Sequence, residues 1–347
     1  MKSYGLLLLF SLILSTVCLS QFSLNEEQKK LINETAFDYP NNSQLSIAIV
    51  KGNEILFHGI IKEEDNIREI ENKDSIFEIG SITKVFTSLL LSKAVLEDKL
   101  TLDDKAHKYL PFKLNKKIRI KQLANHTSGL PRVPRNFAET VTDLNDPYSN
   151  YTKENIKAYF DSDSELDNKA GTHYAYSNLG PAVLASVLEQ IEQKEYAKLL
   201  EEFIFRPMGL SSSFINSNSI QIVPGHNEKG KVIPYWTWHS CMSAAGGIKS
   251  NVVDLAKFIQ AHFDTENKLL RLAQNPTFKV NDEMSIGLGW HLLKIDEQAP
   301  VLWHNGRTAG FTSSMVIRPE SEYGIIILSN AAYNNLDRLT FELLKTL

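Results

Sequence analysis

Phe77-Glu-Ile-Gly-Ser-Ile-Thr-Lys-Val-Phe-Thr-Ser-Leu-Leu-Leu-Ser-Lys-Ala-Val-Leu-Glu97 is the stretch around which the rest of the chain is organised. Its apolar residues Val85, Phe86, Leu89, Leu90, Ala94 and Val95 recur at helical spacing, over a length that suits a buried helix. Ser81 and Lys84 stand three apart at the start of that run, just after Gly80, so they share a helix face and hydroxyl can meet amine. A serine hydroxyl is a poor nucleophile until a base takes its proton, and a desolvated lysine amine is such a base. The unpaired N–H groups and the dipole of a first helical turn favour an oxyanion forming there. A helix cap followed by a solvated lysine is the plain alternative. The apolar flank of Ile82, Val85 and Phe86 argues instead for partial burial of Lys84.

The chain has 347 residues, 43% of them hydrophobic and 22% charged, which suits one large globular domain or two. Residues 1–20 carry one lysine and then an apolar run from Gly5 to Leu19, too short to span a bilayer comfortably and followed at once by polar residues. They read as a secretory signal peptide cut after Ser20, with an uncleaved anchor as the alternative. Val17 is a poor residue for lipoprotein processing at Cys18. Removing one lysine and no acid moves the net charge from −4 to −5, and this mild acidity without a basic stripe argues against a nucleic-acid partner. Cys241 is the one cysteine beyond that leader, so the core must be held by packing rather than by an internal disulfide. No later apolar run is long enough to cross a membrane, which leaves no stable span in the mature chain.

Asn25 to Tyr39 reads as an amphipathic helix, and Ser46–Val50, a turn at Lys51–Asn53 and Glu54–Ile60 read as a β-hairpin. From about residue 106 to 235 the pattern changes to short helical pieces and polar loops, with two helices between Asn178 and Phe205. Strand character returns at Ser285–Trp290, Val301–Trp303, Thr312–Ile317 and Tyr323–Leu328, and Asn335–Leu347 closes as a helix. Strands at both ends of the chain predict an α/β fold: a central antiparallel sheet flanked by helices, completed by both termini, with a mostly helical insertion. The α/β part takes about 21–105 and 236–347, the helical part about 106–235, and the active site lies between them.

Two further stretches carry chemistry. In Gly171–Gly180 a polar, aromatic loop runs into a helix, with Tyr176 and Asn178 two apart. A phenol beside a lysine ammonium has its pKa drawn down from about 10 and can then relay a proton. Equally, Tyr176 reads as a packed aromatic and Asn178 as an N-cap. In Trp303–Phe311, at a strand end, Gly306 and Gly310 let a ligand lie against backbone, though a glycine-rich hairpin connection explains them as well. Gly225–Lys231 nearly matches a phosphate-binding loop, but Val232 and Pro234 make a hairpin turn the better reading. The nine histidines lack paired metal-ligand spacing, so neither a metal nor another cofactor is expected. Tyr235–Trp238 reads either as core or as a lining of the substrate cleft.

Together these stretches resemble the serine β-lactamase and penicillin-binding-protein superfamily, in particular its class C-related branch of esterases and D-aminopeptidases. Ser81-Ile-Thr-Lys84, Tyr176-Ser-Asn178 and His304-Asn-Gly306 are similar to the three family motifs. Leu123–Pro131, Arg206–Leu210 and Ser243–Ile248 support them in the family's order, and the resemblance spans about residue 25 to the C-terminus. It implies a secreted or periplasmic serine hydrolase that forms an acyl-enzyme on Ser81, with Lys84 helping to deprotonate it and Tyr176 as second base. Asn178 would hold Lys84 and the substrate amide, and the N–H groups of Ser81 and Arg307, the latter next to Gly306, would form the oxyanion hole. Family enzymes that process penicillins usually carry Lys-Thr-Gly where this chain has His304-Asn305-Gly306. Histidine, with a reference pKa near 6.5, is mostly neutral at pH 7 and becomes a cation towards pH 5.5. The implied substrates are small molecules or peptidoglycan-derived peptides: D-amino-acid peptides, small esters and, as a further class, β-lactams. A class C-like β-lactamase and a non-catalytic penicillin- or peptidoglycan-binding protein are the alternatives.

Overall fold

The computed structural model describes residues 22–162, 165–217, 220–239, 241–333 and 336–347. The leader expected at 1–20, with Cys18, lies outside the described residues, as does Asn335. The N-terminal part holds α1 (Glu26–Phe37), β1 (Gln44–Lys51), β2 (Glu54–Glu63), β3 (Asn66–Glu69), β4 (Phe77–Glu78) and α2 (Thr83–Leu96). Short helices follow, α3 (Ile120–Ala124), α4 (Lys153–Ser162), α5 (Leu179–Glu192) and α6 (Tyr196–Leu200), then β5 (Gly225–His226) and β6 (Val232–Ile233). The C-terminal part runs β7 (Lys249–Ser250), α7 (Val252–Ala261), α8 (Lys268–Gln274), β8 (Phe278–Lys279), β9 (Met284–Ile286) and β10 (His291–Leu293). It ends with β11 (Val301–Arg307), β12 (Thr312–Arg318), β13 (Tyr323–Ser329) and α9 (Leu336–Lys345).

The main sheet has nine strands in the order β3-β2-β1-β13-β12-β11-β10-β9-β8, antiparallel throughout. β1 pairs with β13, so the first and last parts of the chain close one sheet, as the strand pattern predicts. Side chains alternate across each strand. Ile47, Ile49, Ile325, Ile327 and Val316 pack with Ile32 and Ala36 of α1 and Leu339 and Leu343 of α9. Ala48, Val50, Ile326, Leu328 and Met315 face the other way, into a core with α2, α5 and α7. Both faces are covered, which is why Ile325–Leu328 reads as a continuous apolar run. α2 is buried on nearly all sides, and its sequence accordingly lacks a polar face.

The strand expected over Ser285–Trp290 is corrected. Pairing stops at Ile286, and the chain turns with Gly287 N–H donating to Trp290 O at 2.9 Å. Gly289 there has φ +77°, and a Cβ on it would lie 2.7 Å from Ser88 Oγ and 2.9 Å from Lys84 O, so only glycine lets this turn press on α2. The second strand of the pair is His291–Leu293, too short a run to stand out by pattern. Gly225–Lys231 forms the expected hairpin, β5 pairing with β6.

β4 and β7 pair just ahead of Ser81, setting Glu78 opposite Lys249, both buried. Glu78 accepts from Trp236 N–H at 2.9 Å and from Thr308 Oγ1 at 2.7 Å, while Lys249 Nζ donates to the carbonyls of Ile215 and Trp236 at 3.0 Å each. Burial raises the Glu78 carboxyl to about 7 against the pull of Lys249. Removing the acid strands a buried cation and two buried donors. Glu78→Ala should therefore cost about 3–5 kcal/mol of stability, read as a fall in the urea midpoint, with Glu78→Gln losing clearly less. A Glu78→Ala midpoint equal to that of the wild type would show that the buried carboxylate contributes nothing.

Candidate active site

Ser81 sits in a tight 3-10 turn, Gly80–Ile82, that leads directly into α2. Gly80 has φ +51°, and a Cβ on it would meet the Arg307 backbone nitrogen at 2.7 Å. A Cβ on Gly306 would sit 2.0 Å from Ile79 O, and Ser313 Oγ donates to that same oxygen at 2.8 Å. The end of β11 thus lies flat against the turn that carries Ser81, with the Arg307 nitrogen beside Gly80. Gly306 is inside a strand, paired opposite Ser313, and the strand runs on to Arg307; the hairpin connection to β12 is residues 308–311, with Gly310 in it and Thr308 N–H donating to Phe311 O at 3.0 Å.

Lys84 Nζ lies 2.9 Å from Ser81 Oγ and 2.6 Å from Ala245 O. The side chain is 2% exposed. No carboxylate compensates this burial among the described residues. Burial, reinforced by the charge of Arg132, therefore holds the Lys84 amine well below the usual lysine range. The second anchor comes from Ser243–Ile248, which also ties to α2 through Thr87 Oγ1 to Ala244 O at 3.0 Å and Ile248 N–H to Thr83 Oγ1 at 3.1 Å. Asn178 does not hold Lys84, contrary to expectation.

Tyr176 is packed over the same amine, with Lys84 Nζ 4.8 Å from its ring centroid. Its phenol is not acidified. Burial raises its pKa above the ordinary value, outweighing the lowering influence of Ser81 and of the Arg132 charge. The expectation of a phenolate fails because burial disfavours the charged form of this phenol more than its surroundings favour it. Tyr176 stacks on His126, centroids 4.3 Å apart, and His126 Nδ1 accepts from Ser177 N–H at 3.2 Å.

His304 is fully buried, its Nδ1–H donating to Asn305 O at 2.7 Å and its Nε2 unpaired. Burial, then His291 and Lys84, push it well below 6.5. That shift runs against the expected gain of charge on acidification, because burial disfavours the imidazolium. His291, 5.2 Å from His304 ring to ring, is lowered to about 4 by burial and meets Tyr174 OH through Nε2 at 2.8 Å. Among the described residues no group of three or more His, Cys, Asp or Glu could hold a metal ion, this histidine cluster included.

Asn178 precedes α5, but Ser177 caps it, its Oγ accepting from Gly180 N–H at 3.0 Å. The asparagine side chain is thereby released towards the site. Its Nδ2 donates to Tyr148 OH at 3.1 Å, and its Oδ1 is buried without a partner. Tyr148 stacks on Trp238 at 4.3 Å, so Trp238 is core that supports the cleft wall. The structure brings Ser81, Lys84, Tyr176, His304, Gly306 and the Arg307 backbone together, and Asn178 to their rim. Sequence reasoning missed His291, Tyr174 and Tyr148 because isolated aromatic and histidine residues carry no spacing signal. It also missed Arg132, which directly follows the quoted Leu123–Pro131 stretch.

A chain of this geometry has recognised relatives. Protein flp of Staphylococcus aureus (strain N315) is 25% identical over 303 residues, covering 82% of this chain but 59% of its own length. The chain thus spans about three-fifths of the length of that curated relative. A β-lactamase of Pseudomonas fluorescens is 26% identical over 339 residues, covering 85% of this chain and 90% of its own. An octameric penicillin-binding protein homologue from Pyrococcus abyssi shares the fold, with a TM-score of 0.77 at 23% identity over 92% of this chain and 76% of that one. The family model described as Beta-lactamase matches residues 41–344, and the chain belongs to that family.

Proposed function

We propose that the protein is a serine hydrolase that works through an acyl-enzyme on Ser81, cleaving amides or esters. The observation that carries this is the 2.9 Å contact between Ser81 Oγ and a lysine amine buried without an acid. A neutral amine has a free lone pair, so Lys84 takes the serine proton as Oγ bonds to the substrate carbonyl carbon. The N–H groups of Ser81 and Arg307 receive the developing oxyanion. Tyr176, a neutral phenol, hands its proton to the departing nitrogen or oxygen as the carbon–leaving-group bond breaks. It recovers one from the Lys84 ammonium. Water then releases the acyl group by the reverse path. Asn178 Oδ1, a buried acceptor without a partner, suits a substrate N–H.

D-amino-acid peptides and small esters are the substrates this reading favours. The Pseudomonas fluorescens relative keeps β-lactams as a second reading, against which stands a neutral, buried His304 where a cation usually binds the drug's carboxylate. The leader-like composition of residues 1–20 supports work outside the cytoplasm. Among the described residues no helix is long and apolar enough to cross a membrane.

A fluorophosphonate probe with peptide mapping tests the assignment. Label should appear on Ser81 and vanish in Ser81→Ala, while Lys84→Ala and Tyr176→Phe should each lower turnover about 10²-fold or more. Their losses should not add in the double variant, since both act on one proton path. Label on another serine would sink the nucleophile, and absence of turnover with every amide and ester would favour a binding protein.

The pH response follows from the neutral histidine. A base must be unprotonated to act, so kcat/KM should rise with pH through the lowered Lys84 pKa and fall on acidification. Because burial disfavours the His304 imidazolium, the ratio of penicillin to ester turnover should be no higher at about pH 5.5, a unit below the reference histidine pKa, than at pH 7. A ratio that climbs on acidification would contradict a buried, neutral His304.

A further inference from the structure

We propose that Arg132 determines specificity by seating a carboxylate of the substrate beside Tyr176, an inference that rests on the acyl-enzyme reading above. The guanidinium lies over the Tyr176 ring, 5.2 Å from its centroid, and is solvent-exposed. Among the described residues it has no carboxylate partner. The other cations near the site are committed elsewhere. Arg307 Nη2 donates to Glu228 Oε1 at 2.5 Å and to Ala332 O at 3.2 Å, and Lys84 is buried against Ser81 Oγ and the Ala245 carbonyl.

The backbone of Arg132 is fixed to the site. Its carbonyl accepts from Asn178 N–H at 2.8 Å and Leu179 N–H at 3.2 Å, and Pro131 and Pro134 stiffen the segment on either side. The side chain therefore departs from a rigid base next to the unpaired Asn178 Oδ1. Its field reaches Lys84, Tyr176, Tyr174, Tyr148 and His126. A planar, always-charged fork over an aromatic face is well suited to two parallel hydrogen bonds with a carboxylate. Beyond its contact with the Tyr176 ring, the guanidinium has no carboxylate partner among the described residues, which offers an anion a ready site. Binding would place that anion on the wall formed by the 126–135 loop and the start of α5, across the cleft from β11.

Paired substrates test this. p-Nitrophenyl butyrate and p-nitrophenyl hydrogen succinate differ by a carboxylate on the acyl side. Phenyl butyrate and 3-(butyryloxy)benzoate differ by one on the leaving side. With rates corrected for uncatalysed hydrolysis, wild type should prefer the anionic member of at least one pair by about ten- to a hundredfold in kcat/KM, the usual effect of a charge-assisted bond. Arg132→Gln should bring that ratio close to one, mainly through KM, and Arg132→Lys should restore part of it. The preference should weaken as ionic strength rises, because the cation is exposed.

A ratio unchanged in Arg132→Gln overturns the proposal. So does a uniform loss across all four esters with a displaced pH profile, which would assign Arg132 to tuning Lys84. Flat ratios in a wild type that still labels on Ser81 remove the carboxylate seat and leave the acyl-enzyme standing. If Ser81 neither labels nor turns over any ester, the hydrolase reading falls, and the Arg132 proposal falls with it. A thermal melt of each variant shows that the exposed substitution leaves the fold intact.

Discussion

Everything in this site depends on a lysine buried without an acid. Taking an ammonium out of water costs several kcal/mol unless a counter-charge compensates it, and a group so placed sheds its proton instead. Lys84 is held between Ser81 Oγ and the Ala245 carbonyl, with the charge of Arg132 adding to the bias against protonation. Its surroundings follow from that need. α2 must be apolar all round to keep water away, Ser243–Ile248 must supply a carbonyl, and Gly80 and Gly306 must lack side chains so that β11 can close against the turn.

Neutrality spreads outward from the amine. His126, His291 and His304 are all pushed down by burial, and Tyr176 is pushed up. A cleft lined by uncharged donors and acceptors can move one proton among several groups at little electrostatic cost, because no fixed charge traps it. His126 Nε2, His304 Nε2 and Asn178 Oδ1 are buried without partners. Folding gains nothing from such unpaired atoms, and their clustering around Ser81 is what a pocket kept ready for a polar ligand would show. The permanent charge of Arg132 stands exposed over the Tyr176 ring, where water screens it.

Much of this was legible in the residues. Ser81 with Lys84 and the apolar run behind them located the helix, and strands at both ends of the chain announced a sheet closed by β1 on β13. Patterns fail where tertiary contact decides. Gly289 looked like strand because nothing local reveals that α2 presses on it. At Gly306 the residues leave a ligand approach and a turn equally open, whereas its bare backbone serves a close approach to Ile79. The expected acidity of Tyr176 and the expected titration of His304 failed for one shared reason. Reference pKa values carry no burial, which no spacing encodes, and burial raises the phenol and lowers the imidazole.

The most direct test of the account is the ionisation of Lys84 itself. Carbon-13 NMR of ε-labelled lysine, assigned through Lys84→Ala, would follow its titration in the free enzyme. The account predicts a midpoint well below 10.5, the ordinary lysine value from which burial and Arg132 displace it, and a rise in that midpoint in Arg132→Gln. A Lys84 that titrates at or above 10.5 would be an ammonium at working pH, and the proton path drawn here would be wrong.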